Sequence, residues 1–431
     1  MITTHHHRPS IADRGPVQGD HVKHDIERLM AERELDAIVI EGPDGLGSAN
    51  AAWRYMTGGA ELVGTIVQRR GERPQLIFHS MERQQAEQSG LDLLPRERWD
   101  MRAIRQRFPK PLDADAEWYR QIFADLGVRG RVAFYGTVHA NRLLALVAAL
   151  GRVAPEVEIV GEYDPDIISI ARETKDADEL ARMADVGRRT CAVVQEVVSF
   201  IQAQRASDGV VLDADGQPVT IGAIHALIRR SLDRHNLEAP DGTIFSQGRD
   251  AGIPHATGEL AAPLRLGQAI TFDIFPRDRV SGYFHDMTRT FAIGYAPPEL
   301  QRVYDDVKAA FDGVVAALTV GAPTHDLQKL ACRLLRERGR QTLEDAWPIE
   351  EGYIHGLGHG IGLDVHEPLA MSTFLDRGDV FQPGSVFTIE PGLYYPSREI
   401  GVRIEDTFCC DLDGAFRSLT PFPYDLVIPL T

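Results

Sequence analysis

The chain is poor in the features that mark several classes of protein. Among 431 residues there are four cysteines, Cys191, Cys332, Cys409 and Cys410, and none of them form a CxxC pair. That argues against a disulfide framework and against a structural zinc site built on thiolates. Cys409 and Cys410 are neighbours in a predicted strand and point to opposite faces, so the expected state is four buried free thiols in a reducing cytoplasm. No apolar run approaches the length of a membrane span, and no membrane partner is expected. The N-terminus, Met1-Ile-Thr-Thr-His-His-His-Arg8, lacks the apolar core of a signal peptide. Residues 1–20 are expected to be flexible, with His5, His6 and His7 as part of a polar terminus rather than a metal site. Basic residues are also in short supply: 46 Lys and Arg stand against 63 Asp and Glu, a net charge of -17. This argues against a nucleic-acid partner, which would call for basic stripes. Short-period repeats and low-complexity segments are absent. What remains, 43% hydrophobic and 25% charged residues, is ordinary for a soluble globular protein, and the length suggests two domains.

Periodicity predicts a first α/β domain over residues 21–165. A helix over His21 to Leu35 places Ile26, Leu29 and Met30 on one face and leads into a strand at Asp36–Glu41. Gly64–Gln68 and Pro74–His79 read as strands around the turn Arg70-Gly-Glu-Arg73. A helix at Trp118–Asp125, a strand at Val132–Tyr135 and a helix-prone run at Leu143–Leu150 follow. The break is placed between Gly161 and Lys175, and a second domain spans 170–431. In it, long helices are expected at Asp176–Gln204, Ile221–Arg234, Leu300–Leu318 and His325–Arg338, the last capped by Thr324. Between and after them lie β-rich segments.

Those segments carry the chemistry. Asp273 stands in the apolar strand Ala269-Ile-Thr-Phe-Asp-Ile-Phe275, where an acid is costly unless paired or metal-bound. Asp286 follows thirteen residues later, past the turn-like Arg277-Asp-Arg-Val-Ser-Gly282, and a hairpin would set the two carboxylates side by side. Close carboxylates repel and need a cation, a proton or an Arg. His359 lies among glycines 356, 358, 360 and 362, which let backbone approach closely. His366 sits in the strand-like Leu363-Asp-Val-His366. Glu390 ends the apolar run Val386-Phe-Thr-Ile389, and Glu405 follows Arg403 at i+2 on one strand face. Oxygen-rich ligation with one imidazole suits Mn²⁺, Co²⁺ or Fe²⁺ and tolerates Zn²⁺.

The segments Ile253-Pro-His-Ala-Thr-Gly258, Thr271-Phe-Asp-Ile274, His285-Asp-Met-Thr-Arg-Thr290, the glycine-rich His355 to Glu367, Thr388-Ile-Glu-Pro-Gly392 and Val402-Arg-Ile-Glu-Asp406, in this order, resemble the metal-dependent peptidases with the pita-bread fold. That family includes methionine aminopeptidase, aminopeptidase P and prolidase. Trp53-Arg-Tyr-Met-Thr-Gly58 also resembles the N-terminal domain of the proline-specific branch, which methionine aminopeptidases generally lack. The resemblance implies an α/β (α+β) protein: a creatinase/prolidase-like N-terminal domain, then a pita-bread catalytic domain with a curved antiparallel sheet inside and helices outside. It implies two divalent metal ions, Mn²⁺ foremost, on Asp273, Asp286, His359, Glu390 and Glu405, with Asp286 and Glu405 bridging. His255 and His366 would contact the substrate, Glu390 would also move protons, and Arg403 would support the last ligand strand. Short proline-containing peptides are the implied substrates, cleaved at the Xaa-Pro bond, and a homodimer is the implied assembly.

Two departures from the family's pattern bear on the site. The gap between the two aspartates is usually eleven residues and here is thirteen. The extra length is expected around Asp278 to Ser281, altering one wall of the site. Many prolidases carry an Arg four residues after the second histidine to anchor the proline carboxylate; here that position is Ala370, so another base such as Arg377 takes the role or none is needed. Aminopeptidase P and carboxypeptidase-like specificities therefore compete with dipeptidase. A metal-free relative of creatinase and a non-enzymatic binding module are disfavoured, because such proteins have lost ligands that all stand here.

Overall fold

Short apolar runs separated by Gly-rich turns become strands, and the longer amphipathic stretches become helices laid against them. The computed structural model describes residues 24–43, 50–163, 165–374 and 378–430. The His5–His7 run, the first twenty residues and Arg377 lie outside the described residues. The chain divides into two compact units, Met1–Ala171 and Arg172–Thr431.

The first unit is built on a six-stranded sheet in the order Asp92–Pro95, Gln75–Phe78, Gly64–Arg69, Ala37–Glu41, Gly130–Tyr135, Val157–Val160. Its outer pairs are parallel and its two central pairings on Gly64–Arg69 are antiparallel. Val39, Val67, Ile77 and Val132 form a core with Trp118, Ile122 and Phe123 of the helix Pro111–Leu126 and Leu146 and Leu150 of the helix Ala140–Val153. The Trp53–Gly58 stretch is a helix, Ala51–Thr57: the Asn50 side chain accepts from Trp53 N at 3.0 Å, and Gly58 closes it in the left-handed conformation.

In the second unit a four-stranded sheet runs Thr243–Gln247, Ile270–Ile274, Met287–Ile293, Val427–Ile428. A five-stranded sheet runs Glu367–Met371, Gly358–Gly360, Val386–Ile389, Asp406–Cys410, Phe416–Ser418. The two sheets meet where Thr288 N donates to Glu405 O at 3.3 Å and Glu405 N donates to Thr288 O at 3.1 Å. Against them pack the helices Pro298–Ala316 and Thr324–Arg336, whose Val303, Val307, Phe311, Leu327, Ala331 and Leu335 share a core with Phe387, Ile389, Val402 and Phe408. The long helix Ala177–Gln202 starts at a capping box of Asp176 and Glu179, and Ile221–Arg234 lies beside it. Among the described residues no helix is long and apolar enough to cross a membrane. All four cysteines are buried and free.

Two local expectations are corrected. Thr324 does not cap its helix; it is the first helical residue, behind Pro323, and its hydroxyl donates to Ala370 O at 2.7 Å. Residues 363–366 are not a strand but a series of bends, and the strand begins at Glu367. Backbone N–H groups that a strand would pair across a sheet are instead taken by the Glu367 carboxylate.

Candidate metal centre

The strand Ile270–Ile274 carries Asp273 and pairs antiparallel with Met287–Ile293, Asp273 opposite Thr288 and Ile274 opposite Met287. Asp286 stands at the mouth of the second strand, one step beyond that register, beside Asp273. The Thr288–Glu405 bridge then brings Glu405 alongside. From the other sheet, Gly358–Gly360 delivers His359, and Glu390 leaves the end of Val386–Ile389. Gly358 permits this close packing: a Cβ there would lie 2.1 Å from Thr388 O. Gly358→Ala is expected to push His359 out of place, destabilise the protein by about 1–3 kcal/mol and weaken metal binding; melting and metal titration of the variant check this, and unchanged values of both would refute it.

All eight residues singled out in the sequence line one cavity of about 1140 Å³: His255, Asp273, Asp286, His359, His366, Glu390, Arg403 and Glu405. Asp286, His359 and Glu405 offer donor atoms within 4.8 Å of one another. His359 Nε2 lies 3.8 Å from Asp286 Oδ2 and 3.7 Å from Glu390 Oε1. Its Nδ1 faces Gly360 O at 2.9 Å, and a carbonyl only accepts, so Nδ1 carries the proton and Nε2 turns a lone pair to the carboxylates. Burial, then the neighbouring His366, pushes the His359 imidazole down to about 3, so it is neutral.

Four carboxylates here share one guanidinium. Arg403 pairs through Nη2 with Asp273 Oδ2, donates from Nε to Thr288 Oγ1 at 3.0 Å and from Nη1 to Tyr394 OH at 2.8 Å. Thr288 Oγ1 in turn donates to Glu405 Oε2 at 2.7 Å. Burial, then Asp273 and Glu390, raises Asp286 well above the usual carboxylate range; burial, then Asp286 and Glu390, does the same to Glu405. Glu390 is pushed up to about 7, chiefly by burial. Asp273 Oδ1 and Asp286 Oδ1 are buried with no hydrogen-bond partner. Orphaned anionic oxygens, unpaired repulsion and an available imidazole nitrogen fit hard-to-borderline divalent cations.

His255 and His366 stand on the cavity wall near these groups. His366 is exposed as a residue, but its ring crowds the His359 ring edge-on at 4.4 Å between centroids, and partial burial with His255 nearby lowers its proton affinity. The turn at Asp278–Ser281 does not form a wall of the site, contrary to expectation. Asp278 binds Arg189 Nη2 at 2.9 Å and Ser281 N at 2.7 Å, and none of these residues lines the cavity. Ala370 is likewise outside the lining. Among the described lining residues Arg403 is the only Arg or Lys.

His355, Thr288 and Tyr394 also belong to the site, although the sequence motifs assign them no role. His355 Nδ1 donates to Gly356 O at 2.7 Å, so Nε2 accepts from Tyr394 OH at 2.9 Å, and Tyr394 accepts from Arg403. Spacing held part of the signal: Thr288 is at i+2 from Asp286, an even offset that shares a face in extended chain, whereas His355 lies in a bend before the strand Gly358–Gly360, where offset carries no such information.

Residues 181–411 match the profile of Metallopeptidase family M24. The chain is 37% identical over 187 residues to YkvY of Bacillus subtilis, 43% of this chain and 47% of that protein, so it spans about half that relative's length. It is 24% identical over 406 residues to the Xaa-Pro dipeptidase of Pyrococcus horikoshii, covering 93% of this chain and 97% of the relative. The solved structure of the Xaa-Pro dipeptidase from Bacillus anthracis superposes with a TM-score of 0.72 at 21% identity, over 94% of this chain and 99% of that one. Such likeness identifies the fold as the pita-bread fold with its N-terminal domain.

Proposed function

The chain belongs to metallopeptidase family M24, and on that premise we propose that it is a dinuclear metal-dependent peptidase hydrolysing the bond before proline in short peptides. The observation that carries this reading is the convergence of Asp273, Asp286, His359, Glu390 and Glu405 on one cavity that also presents His255 and His366. The five would hold two divalent ions, Mn²⁺ foremost, with Co²⁺, Zn²⁺ or Fe²⁺ able to replace it.

Divalent ions at such a site supply Lewis acidity and make water a nucleophile near neutral pH. The protein's own groups do the rest. Glu390, beside His359 on the cavity wall, is the carboxylate to accept the attacking water's proton and return it to the leaving nitrogen. His366, neutral at working pH, offers an N–H to the developing oxyanion. His255 positions the peptide. Arg403 holds Asp273 and, through Thr288, orients Glu405. The Xaa-Pro bond has no N–H, so a site that does not rely on that donor can select it, in the trans isomer that dominates.

The relative's name favours dipeptides. The wall of the cavity favours longer ones as well: Arg403 is committed to Asp273, so a free substrate carboxylate meets no spare guanidinium among the described lining residues. Ala-Pro, Ala-Pro-Ala and an N-terminally blocked longer peptide separate the readings. Release of alanine from Ala-Pro-Ala at least as fast as from Ala-Pro is the expected result; cleavage of none of the three would refute the peptidase reading. Four buried thiols accord with a reducing cytoplasm, and the family resemblance with a homodimer, which light scattering can test.

A further inference from the structure

Glu367 follows His366 directly, yet its side chain turns into the protein, with 1% of it exposed. The carboxylate gathers four donors. Lys175 Nζ reaches Oε2 at 2.8 Å; Arg172 Nη2, Leu363 N at 2.8 Å and Asp364 N at 3.3 Å all reach Oε1. Arg172 also donates to Asp364 Oδ2 at 2.7 Å. Gly362 leaves room for the carboxylate, since a Cβ there would lie 2.6 Å from Oε1. Gly362 O accepts from Phe284 N at 2.8 Å, two residues before Asp286. Burial alone would raise the Glu367 carboxyl, but Lys175 and Arg172 outweigh it and hold the group down at about 2.

Residues 361–366 have no helix or strand to fix them. Backbone bonds hold the near end of this loop, Ile361 N to Val386 O and Gly362 N to Asp364 O, each at 3.1 Å, and the Glu367 carboxylate fixes the next two N–H groups, those of Leu363 and Asp364, on the approach to His366. A buried ion cluster is a poor source of stability, because apolar side chains of similar volume often serve as well or better. Apolar packing cannot, however, dictate the direction of two backbone N–H groups. The cations come from residues 172 and 175, almost two hundred positions earlier, at the start of the second unit.

We propose that Glu367, clamped by Arg172 and Lys175, is a positioning residue that sets where the His366 imidazole stands in the cavity. Its effect on turnover rests on the peptidase reading above; its effect on His366 does not. A double-mutant cycle on the metal-loaded protein tests it with Glu367→Gln, His366→Ala and the pair together, assayed on a cleaved Xaa-Pro peptide. Glu367→Gln is expected to lower kcat about tenfold or more with KM and bound metal near wild type, and to cost less than about twofold further once His366 is Ala. An equal fold-loss in both backgrounds, or an unchanged kcat, overturns the proposal. If Glu367→Gln does not fold, Lys175→Met with Glu367→Gln removes a charge of each sign and enters the same cycle. NMR of the His366 ring needs no turnover. Displaced ring resonances in either variant support the proposal, and unmoved ones overturn it even if no peptide is cleaved.

Discussion

Asp286→Asn is expected to remove both bound metal and turnover, the latter by more than about a thousandfold, well past the 10–100-fold typical of losing a residue that merely orients a ligand. The reason is local. Asp286 Oδ2 faces His359 Nε2 at 3.8 Å, and Oδ1 is buried without a partner. Asn keeps the shape but replaces an anionic oxygen with an amide and cancels one charge. Glu405→Gln should behave alike, since Glu405 shares the donor group with Asp286 and His359. The metal-free protein supplies a control with the opposite sign. Burial and two neighbouring carboxylates already penalise ionised Asp286, so metal-free Asp286→Asn should melt at or above the wild-type temperature near pH 8. Metal content and turnover unchanged in both variants would refute the assignment; a variant that fails to fold would be seen in the melt.

The second large effect is a pH dependence of stability in the metal-free protein that bound metal removes. In the metal-free protein Glu390 sits at about 7, and Asp286 and Glu405 lie well above the ordinary range. Above the usual carboxylate pKa, the native state then binds more protons than the unfolded chain. Stability falls as pH rises, by about 1.4 kcal/mol per pH unit for each excess proton, until the folded-state values are passed. His359 at about 3 and His355 at about 4 act oppositely. Both are depressed bases, so their contribution is lost as pH falls below the ordinary histidine value of about 6.5. Between about pH 6.5 and 8.5 the carboxylates therefore act nearly alone, and metal-free protein should melt progressively lower. Divalent cations take the place of those protons, so the rise in Tm on adding Mn²⁺ should grow across the same window. A constant increment would contradict the account.

How much of this was legible in the sequence depended on whether the determining contact was local. The helix Ile221–Arg234 follows from periodicity because its apolar face repeats within a few residues. Asp273 stood out because an acid inside an apolar strand lacks a local reason to be there. The alternation in Leu363-Asp-Val-His predicts a strand through His366. Its real conformation depends on Glu367 binding two backbone N–H groups, with cations drawn from Arg172 and Lys175. Alternation carries no trace of that. The Asp278 turn stays away from the site for a similar reason: its partner Arg189 lies on a helix far back in the chain. The junction of the two sheets at Thr288 and Glu405 was equally invisible, and it sets Glu405 beside Asp286.

Whether the five side chains hold a metal pair is decided by the metal stoichiometry of the purified protein, titrated with Mn²⁺ and read by elemental mass spectrometry after removal of free ions. Binding is expected to approach two ions per chain and to rise together with cleavage of an Xaa-Pro peptide. Full cleavage by protein stripped of metal would contradict it.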